Sequence, residues 1–169
     1  TIKNIPSAKA VYYSVKIRSN DIWNNTIYKK YKQSGKDLGH RMEHAFKKCF
    51  NQGYKKVIIV GSDLLDLKEK HLEEAILALD KHDTVIGPSE DGGYYLLGTK
   101  VFNPKIFKNK KWGTKTVLEE TLSDLENSSV FMLEELNDID TFEDMKHYNK
   151  QKPNYTSNNK PLIKTSKQP

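Results

Sequence analysis

Apolar residues recur along this chain at two different periods, and the switching between them predicts its layout. Leu38, Met42, Ala45, Phe46, Cys49 and Phe50 stand three and four apart, so Asp37–Gln52 reads as a helix with one apolar face. Asp37 is placed to cap its start and Gly53 to end it. Val57–Val60 is an unbroken β-branched run, the pattern of a strand covered on both faces, as in a parallel sheet. Leu72, Ile76 and Leu79 return to helical spacing over Glu69–Leu79, with Asp66 and Glu69 as a capping box in which Asp replaces Ser or Thr. Val117, Leu118, Leu122 and Leu125 give an amphipathic helix over Thr114–Leu125. Lys9–Ser14, Thr84–Gly87, Tyr94–Gly98 and Val130–Leu133 read as short strands, and Thr141–Tyr148 as a last short helix. Arg18–Tyr31 has no clean period and reads as loop with a short helical piece. Strands alternating with helices predict an α/β layered domain without internal repeats.

Length bounds this to one domain: 169 residues bury a single conventional core and no more. Residues 1–149 are expected to form it. Residues 150–169 are rich in Pro, Asn, Ser and Thr, hold five lysines and no acid, and read as a disordered basic tail. Without that tail the chain carries 23 basic against 22 acidic residues. The formal charge of +6 is therefore a tail property, and the folded body offers no basic stripe for nucleic acid. Cys49 is the single cysteine, which rules out an internal disulfide, and its place on the apolar helix face makes it a core residue. No apolar run approaches the ~20 residues of a membrane span, and no signal-peptide pattern opens the chain, so a cytoplasmic location is expected.

In open α/β sheets ligands bind beyond the carboxyl ends of the strands, and several reactive segments fall there. Gly61-Ser62-Asp63 follows the Val57–Val60 run. Asp63 either reaches a hard cation such as Mg²⁺, which shares few carboxylates with substrate phosphates, or only organises the turn. In Gly87–Gly98, paired glycines allow close backbone approach and positive φ, and Asp91 beside them is a short acceptor for sugar hydroxyls. The plainer reading is a hairpin turn, since Asp-Gly is itself a hairpin signal. Asp138 and Asp140 lie between the last strand and the last helix, as second metal ligands or as helix caps. Arg41 or His40 is placed to face a phosphate from the early helix; for His40 a solvated helix face is the simpler alternative. His40 and His44 lack the metalloprotease pattern, and CxxC, Walker and G-x-S-x-G motifs are missing.

Taken in this order, the segments resemble a bacterial family of glycosyltransferase-A-like proteins of unassigned function. The resemblance runs from Gln33 through Asp144. It rests on Gly35-Lys36-Asp37-Leu38-Gly39 with Arg41-Met42, Gly61-Ser62-Asp63 with Asp66-Leu67, and Gly87-Pro88. Asp91-Gly92-Gly93-Tyr94-Tyr95, Trp112 with Thr114, Thr116 and Val117, and Asp138-Ile139-Asp140-Thr141 complete it. It implies a Rossmann-like nucleotide-diphosphosugar transferase fold: three α/β/α layers around a mostly parallel sheet. It implies Mg²⁺ or Mn²⁺ held by Asp63 and Asp140, and Asp91 as the catalytic carboxylate. It further implies a substrate pocket using Gly92, Gly93, Tyr94, Arg41, Trp112 and Thr114. Three features differ from the family pattern. Leu64-Leu65 replaces Cys-Pro or Ser-Pro, and Trp112-Gly113-Thr114 replaces Trp-Ser-Thr. Thr1–Lys9 lacks the opening strand and the Lys-Thr-Arg nucleotide loop. The resemblance thus predicts a chain that starts partway through the fold, with a gap in the sheet beside Val57–Val60.

Three functions follow. The first is a metal-dependent glycosyltransferase using a nucleotide sugar and an unidentified acceptor, with Asp91, Glu90 or Glu119 as base if the sugar inverts. The second is a nucleotidyltransferase acting on a phosphorylated small molecule. The third is a non-catalytic, truncated member of the family. A homo-oligomer is a further expectation, as is a partner at the aromatic segment Trp23–Tyr31.

Overall fold

The computed structural model describes residues 2–62, 64 and 66–136. The elements in order are β1 (Lys9–Tyr13), β2 (Tyr28–Lys32), α1 (Leu38–Asn51), β3 (Val57–Val60), α2 (Glu69–Lys81), β4 (Thr84–Pro88), β5 (Tyr94–Thr99), α3 (Val117–Asp124) and β6 (Val130–Met132). Single 3₁₀ turns stand at Ile2–Asn4 and Pro104–Phe107. The tail, the helix expected at Thr141–Tyr148, Asp63, Asp138 and Asp140 lie outside the described residues.

Four strands form the main sheet in the order β3-β5-β4-β6. The expectation of a mostly parallel sheet is corrected here: the sheet is mixed. β5 runs antiparallel to both β3 and β4, and only β4 and β6 pair in parallel. The reason is local. The connection between β4 and β5 is a turn too short for a crossover, so β5 must return antiparallel beside β4. The β-branched run of β3 therefore reported burial on two faces, not the direction of its neighbour.

Side chains of the strands alternate between two cores on opposite faces. Ile58, Val85 and Leu96 join Leu72, Ala75, Ala78 and Leu79 of α2. Ile59, Ile86 and Leu97 join Met42 and Phe46 of α1, with Ile106, Phe107 and Leu125. Helices thus cover both faces, as the layered pattern predicts.

β1 and β2 form a separate parallel pair, with Tyr12 opposite Tyr31. β2 is a strand that the sequence reading placed in a loop. Its run, YKKYK, has no alternation of apolar residues to reveal it. The pair rests on α1: Tyr12 lies beside Cys49, and Lys48 Nζ sits 3.3 Å from the centre of the Tyr31 ring. Burial pushes the Cys49 thiol up from its ordinary pKa, in keeping with a packing role. Among the described residues no strand pairs with the second edge of β3.

α2 starts at Glu69 as expected, with a different cap, and the start of α3 moves. α2 is capped at Lys68, whose N–H donates to Nδ1 of His71 at 3.1 Å, not through Asp66 and Glu69. α3 begins at Val117, because Thr114–Thr116 form a turn stitched by their own hydroxyls.

Candidate functional site

The carboxyl ends of β3, β4 and β6 meet the turn that opens β5. Gly61 N–H, just past β3, donates to the Tyr95 carbonyl at 2.9 Å. Ser89, just past β4, bridges to Leu136 beyond β6. A β-bulge shapes this end. Pro88 pairs with Tyr94 and Gly87 with Leu96, which leaves Tyr95 as the extra residue on β5. The Tyr95 ring lies over Gly87, where a methyl group would stand 2.3 Å from its Cζ, and its hydroxyl donates to the Glu134 carbonyl at 3.1 Å. Burial raises the Tyr95 phenol to about 12.

Asp91 is built into this turn. Its Oδ1 accepts from the buried Ser89 hydroxyl at 2.6 Å and from Gly93 N–H at 2.9 Å, an Asx turn. Among the described residues no hydrogen bond goes to Oδ2, and the side chain is exposed. One carboxylate oxygen is therefore fixed and the other faces solvent. Gly92 has φ +85°, and a methyl there would lie 2.3 Å from the Lys115 carbonyl oxygen. Its own carbonyl accepts from Leu118 N–H at 3.0 Å, which ties the turn to the start of α3.

Trp112 joins this turn to α1. Its ring meets Tyr94 edge-on, with centroids 6.5 Å apart and planes at 90°. A methyl on Gly39 would stand 2.5 Å from Trp112 Nε1 and 2.3 Å from the Phe107 carbonyl oxygen, so glycine alone allows this approach. Tyr94 itself packs into the α1 core, and burial raises its phenol strongly. Thr114 Oγ1 donates to the Lys111 carbonyl at 2.7 Å and lies 3.1 Å from Thr116 Oγ1, which donates to Glu120.

The structure thus gathers Asp91, Gly92, Gly93, Tyr94, Trp112 and Thr114 at one end of the sheet. Arg41 turns elsewhere: its guanidinium donates to the Gly35 carbonyl at 3.3 Å and to Gln33 Oε1 at 3.4 Å, at the end of β2. Asp37 caps α1 by accepting His40 N–H at 2.9 Å, and His40 Nδ1 lies 2.7 Å from the same oxygen. Those two hydrogen bonds hold the Asp37 carboxyl below its ordinary pKa.

Ser89, Tyr95 and the His71–Glu134 contact are parts that the sequence reading missed. His71 is buried; its Nδ1 accepts from Lys68, so its Nε2 donates to Glu134, which also pairs with Lys70 at 2.8 Å. Only Ser89 carried a usable signal, its spacing of two from Asp91 in SEDGG. Among the described residues no three His, Cys, Asp or Glu side chains converge as a metal cage. Asp63 and Asp140, which the sequence suggested as metal ligands and which lie outside the described residues, are a carboxylate-only pair. That donor chemistry fits a hard cation completed by substrate phosphates.

A family of proteins described as uncharacterized and conserved in bacteria (DUF2064) matches residues 6–114. The chain belongs to this family. The matched stretch includes Arg41, Asp63, Asp91 and Thr114 and stops short of Asp140. A crystal structure from Desulfovibrio desulfuricans G20, provisionally described as a nucleotide-diphospho-sugar transferase, superposes with a TM-score of 0.75 at 30% identity. The superposition covers 87% of this chain and 67% of that one. The 2-phospho-L-lactate guanylyltransferase of Methanocaldococcus jannaschii is 33% identical over 81 residues, which are 48% of this chain and 33% of that enzyme. The chain therefore spans about a third of that curated relative's length. The fold is of the nucleotide-diphosphosugar transferase kind. Among the described residues no helix is long and apolar enough to cross a membrane.

Proposed function

We propose that this protein is a metal-dependent transferase that takes a glycosyl group from a nucleotide-diphosphosugar and passes it to an acceptor. The observation that carries the reading is the turn at Asp91. One of its carboxylate oxygens is locked by Ser89 and Gly93 and the other left open, at the strand ends where this fold class binds ligands. Support comes from the likeness to the Desulfovibrio protein over most of the chain.

In this reading Asp63 and Asp140 hold Mg²⁺ or Mn²⁺. When bound, the cation supplies positive charge against the departing diphosphate. Asp91 Oδ2 accepts a hydroxyl of the sugar or acceptor and orients it. Gly92 and Gly93 keep that side of the turn free of side chains, so backbone can approach the ligand. Trp112 backs the turn and excludes water beside it. Arg41, held by Gln33 and Gly35, contributes long-range positive charge toward a diphosphate.

A second reading, nucleotidyl transfer to a phosphorylated small molecule, is favoured by one specific observation: the relative that matches at 33% identity is a guanylyltransferase. The same aspartates would then serve a nucleoside triphosphate. Phosphorus NMR of the products separates the two. Glycosyl transfer releases a nucleoside diphosphate, whereas nucleotidyl transfer releases pyrophosphate. Failure to turn over nucleotide sugars while pyrophosphate forms from a triphosphate replaces the first reading by the second.

A further inference from the structure

The near balance of charge over residues 1–149 conceals an uneven division. Residues 1–36 hold eight basic residues and one acid, Asp21, whereas residues 37–136 hold 14 basic and 17 acidic. The folded body thus has a basic end, at the β1–β2 pair. Asp21 is engaged within it: the carboxylate accepts from the Tyr13 hydroxyl and pairs with Lys30 Nζ at 2.8 Å. Lys16, Arg18, Lys29 and Lys32 are exposed, and among the described residues no carboxylate pairs with any of them.

The same end exposes aliphatic side chains. In the loop that joins β1 to β2, Val15, Ile17 and Ile22 are 75%, 50% and 87% exposed. The other large apolar residues that face water, Leu38, Leu77, Val101 and Met132, are scattered over the fold, which is ordinary. Three within one loop make a patch, and a patch calls for an occupant. The loop is held in shape from inside. Lys30 Nζ donates to the Arg18 carbonyl at 2.9 Å, Trp23 N–H to Asp21 Oδ1 at 3.0 Å, and Tyr28 N–H to the Asn24 carbonyl at 2.9 Å. Trp23 packs edge-on against the buried Tyr28, with ring centroids 5.1 Å apart. The acid and the aromatic rings are therefore engaged, and the Val15-Lys16-Ile17-Arg18 run is left outside with Ile22.

We propose that this loop is a membrane-surface site that seats on an anionic lipid bilayer. Val15, Ile17 and Ile22 enter the boundary between headgroups and acyl chains, and Lys16 and Arg18 meet headgroup phosphates. Lys29 and Lys32 of β2 add attraction from further back. Aliphatic side chains interleaved with uncompensated cations are the chemistry of interfacial attachment, which combines buried apolar area with charge. Nucleic acid is a poorer match. Bases stack on free aromatic rings, and here Trp23 lies on Tyr28 and Tyr12 on Tyr31. A protein partner would be expected to seat on aromatic anchors, which this loop keeps engaged. The site is independent of the transferase reading.

The test is co-sedimentation of the 169-residue chain with vesicles of phosphatidylcholine alone and of phosphatidylcholine mixed equally with phosphatidylglycerol. Binding is expected to the mixed vesicles only and to weaken as salt is raised. Arg18→Glu should weaken it by about fivefold or more, the effect of one cation near an anionic leaflet. Ile17→Asp with Ile22→Asp should weaken it by about tenfold or more, through lost apolar insertion. Both positions are exposed, so the melting temperature should not change. The five lysines of residues 150–169 are present in every variant. Binding that survives the double substitution therefore comes from charge alone and overturns the loop as the site. No binding to the mixed vesicles overturns it as well. So does a single-stranded oligonucleotide that binds, displaces the vesicles and is indifferent to the isoleucines, which would make this end a nucleic-acid surface.

Discussion

At the scale of single residues, the proposed chemistry rests on a division of labour within the Asp91 carboxylate. Asp91→Asn keeps an Oδ1 acceptor for Ser89 and Gly93, so the turn and the melting temperature should persist. The exchanged Oδ2 position loses its charge, and turnover should fall by roughly 10²-fold or more. Calorimetry beside a transfer assay checks both halves; full activity in a folded variant removes Asp91 from the mechanism. Asp37 yields a pH prediction. Its folded pKa lies below the unfolded value, so its contribution is present above the unfolded pKa and disappears as pH falls through the folded one. Asp37→Asn retains a cap but not the titration. Between pH 5 and pH 3 its melting temperature should therefore drop less than that of the parent, as paired thermal melts would reveal. Asp91 was legible from sequence because DGG is a local signal. Ser89 and the Tyr95 bulge were not, since a bulge is fixed by the register between two strands.

At the scale of elements, α1 shows how packing overrides propensity. Alanine favours a helix over glycine by ~1 kcal/mol, but at Gly39 the added methyl meets the Phe107 carbonyl and the Trp112 indole. Gly39→Ala should destabilise the fold by about 1–3 kcal/mol, as overpacking does. It should also displace Trp112, which chemical denaturation followed by tryptophan fluorescence would report. Two turns further along the same face of that helix Phe46 is fully buried against Phe107, and Phe46→Ala should cost ~3–5 kcal/mol in the same experiment. The periodicity of Leu38–Phe50 disclosed this face without any structure. It did not disclose the second use of the helix, the support of β1 and β2 through Cys49 and Lys48, because a lysine over a tyrosine ring is a tertiary contact. β2 stayed hidden for the related reason that its lysines guard an edge and mask the strand pattern.

For the whole molecule, the alternation of strands and helices was enough to give the layered class, while strand direction was not. VIIV states that β3 is covered above and below; it is silent on the fact that β5 returns antiparallel beside it. The candidate site was expected at the strand ends from the general behaviour of open α/β sheets, and the structure brings Asp91, Gly92, Trp112 and Thr114 together at one such end. The most direct test of nucleotide-dependent transfer is a thermal-shift titration of nucleoside diphosphates, their sugars and triphosphates, with and without Mn²⁺. It is run on the protein and on Asp63→Asn. A ligand bound to the folded state raises stability by mass action. A Mn²⁺-dependent rise with one nucleotide, lost in Asp63→Asn, is the predicted result. No rise with any nucleotide, or a rise that survives that substitution unchanged, would contradict the account.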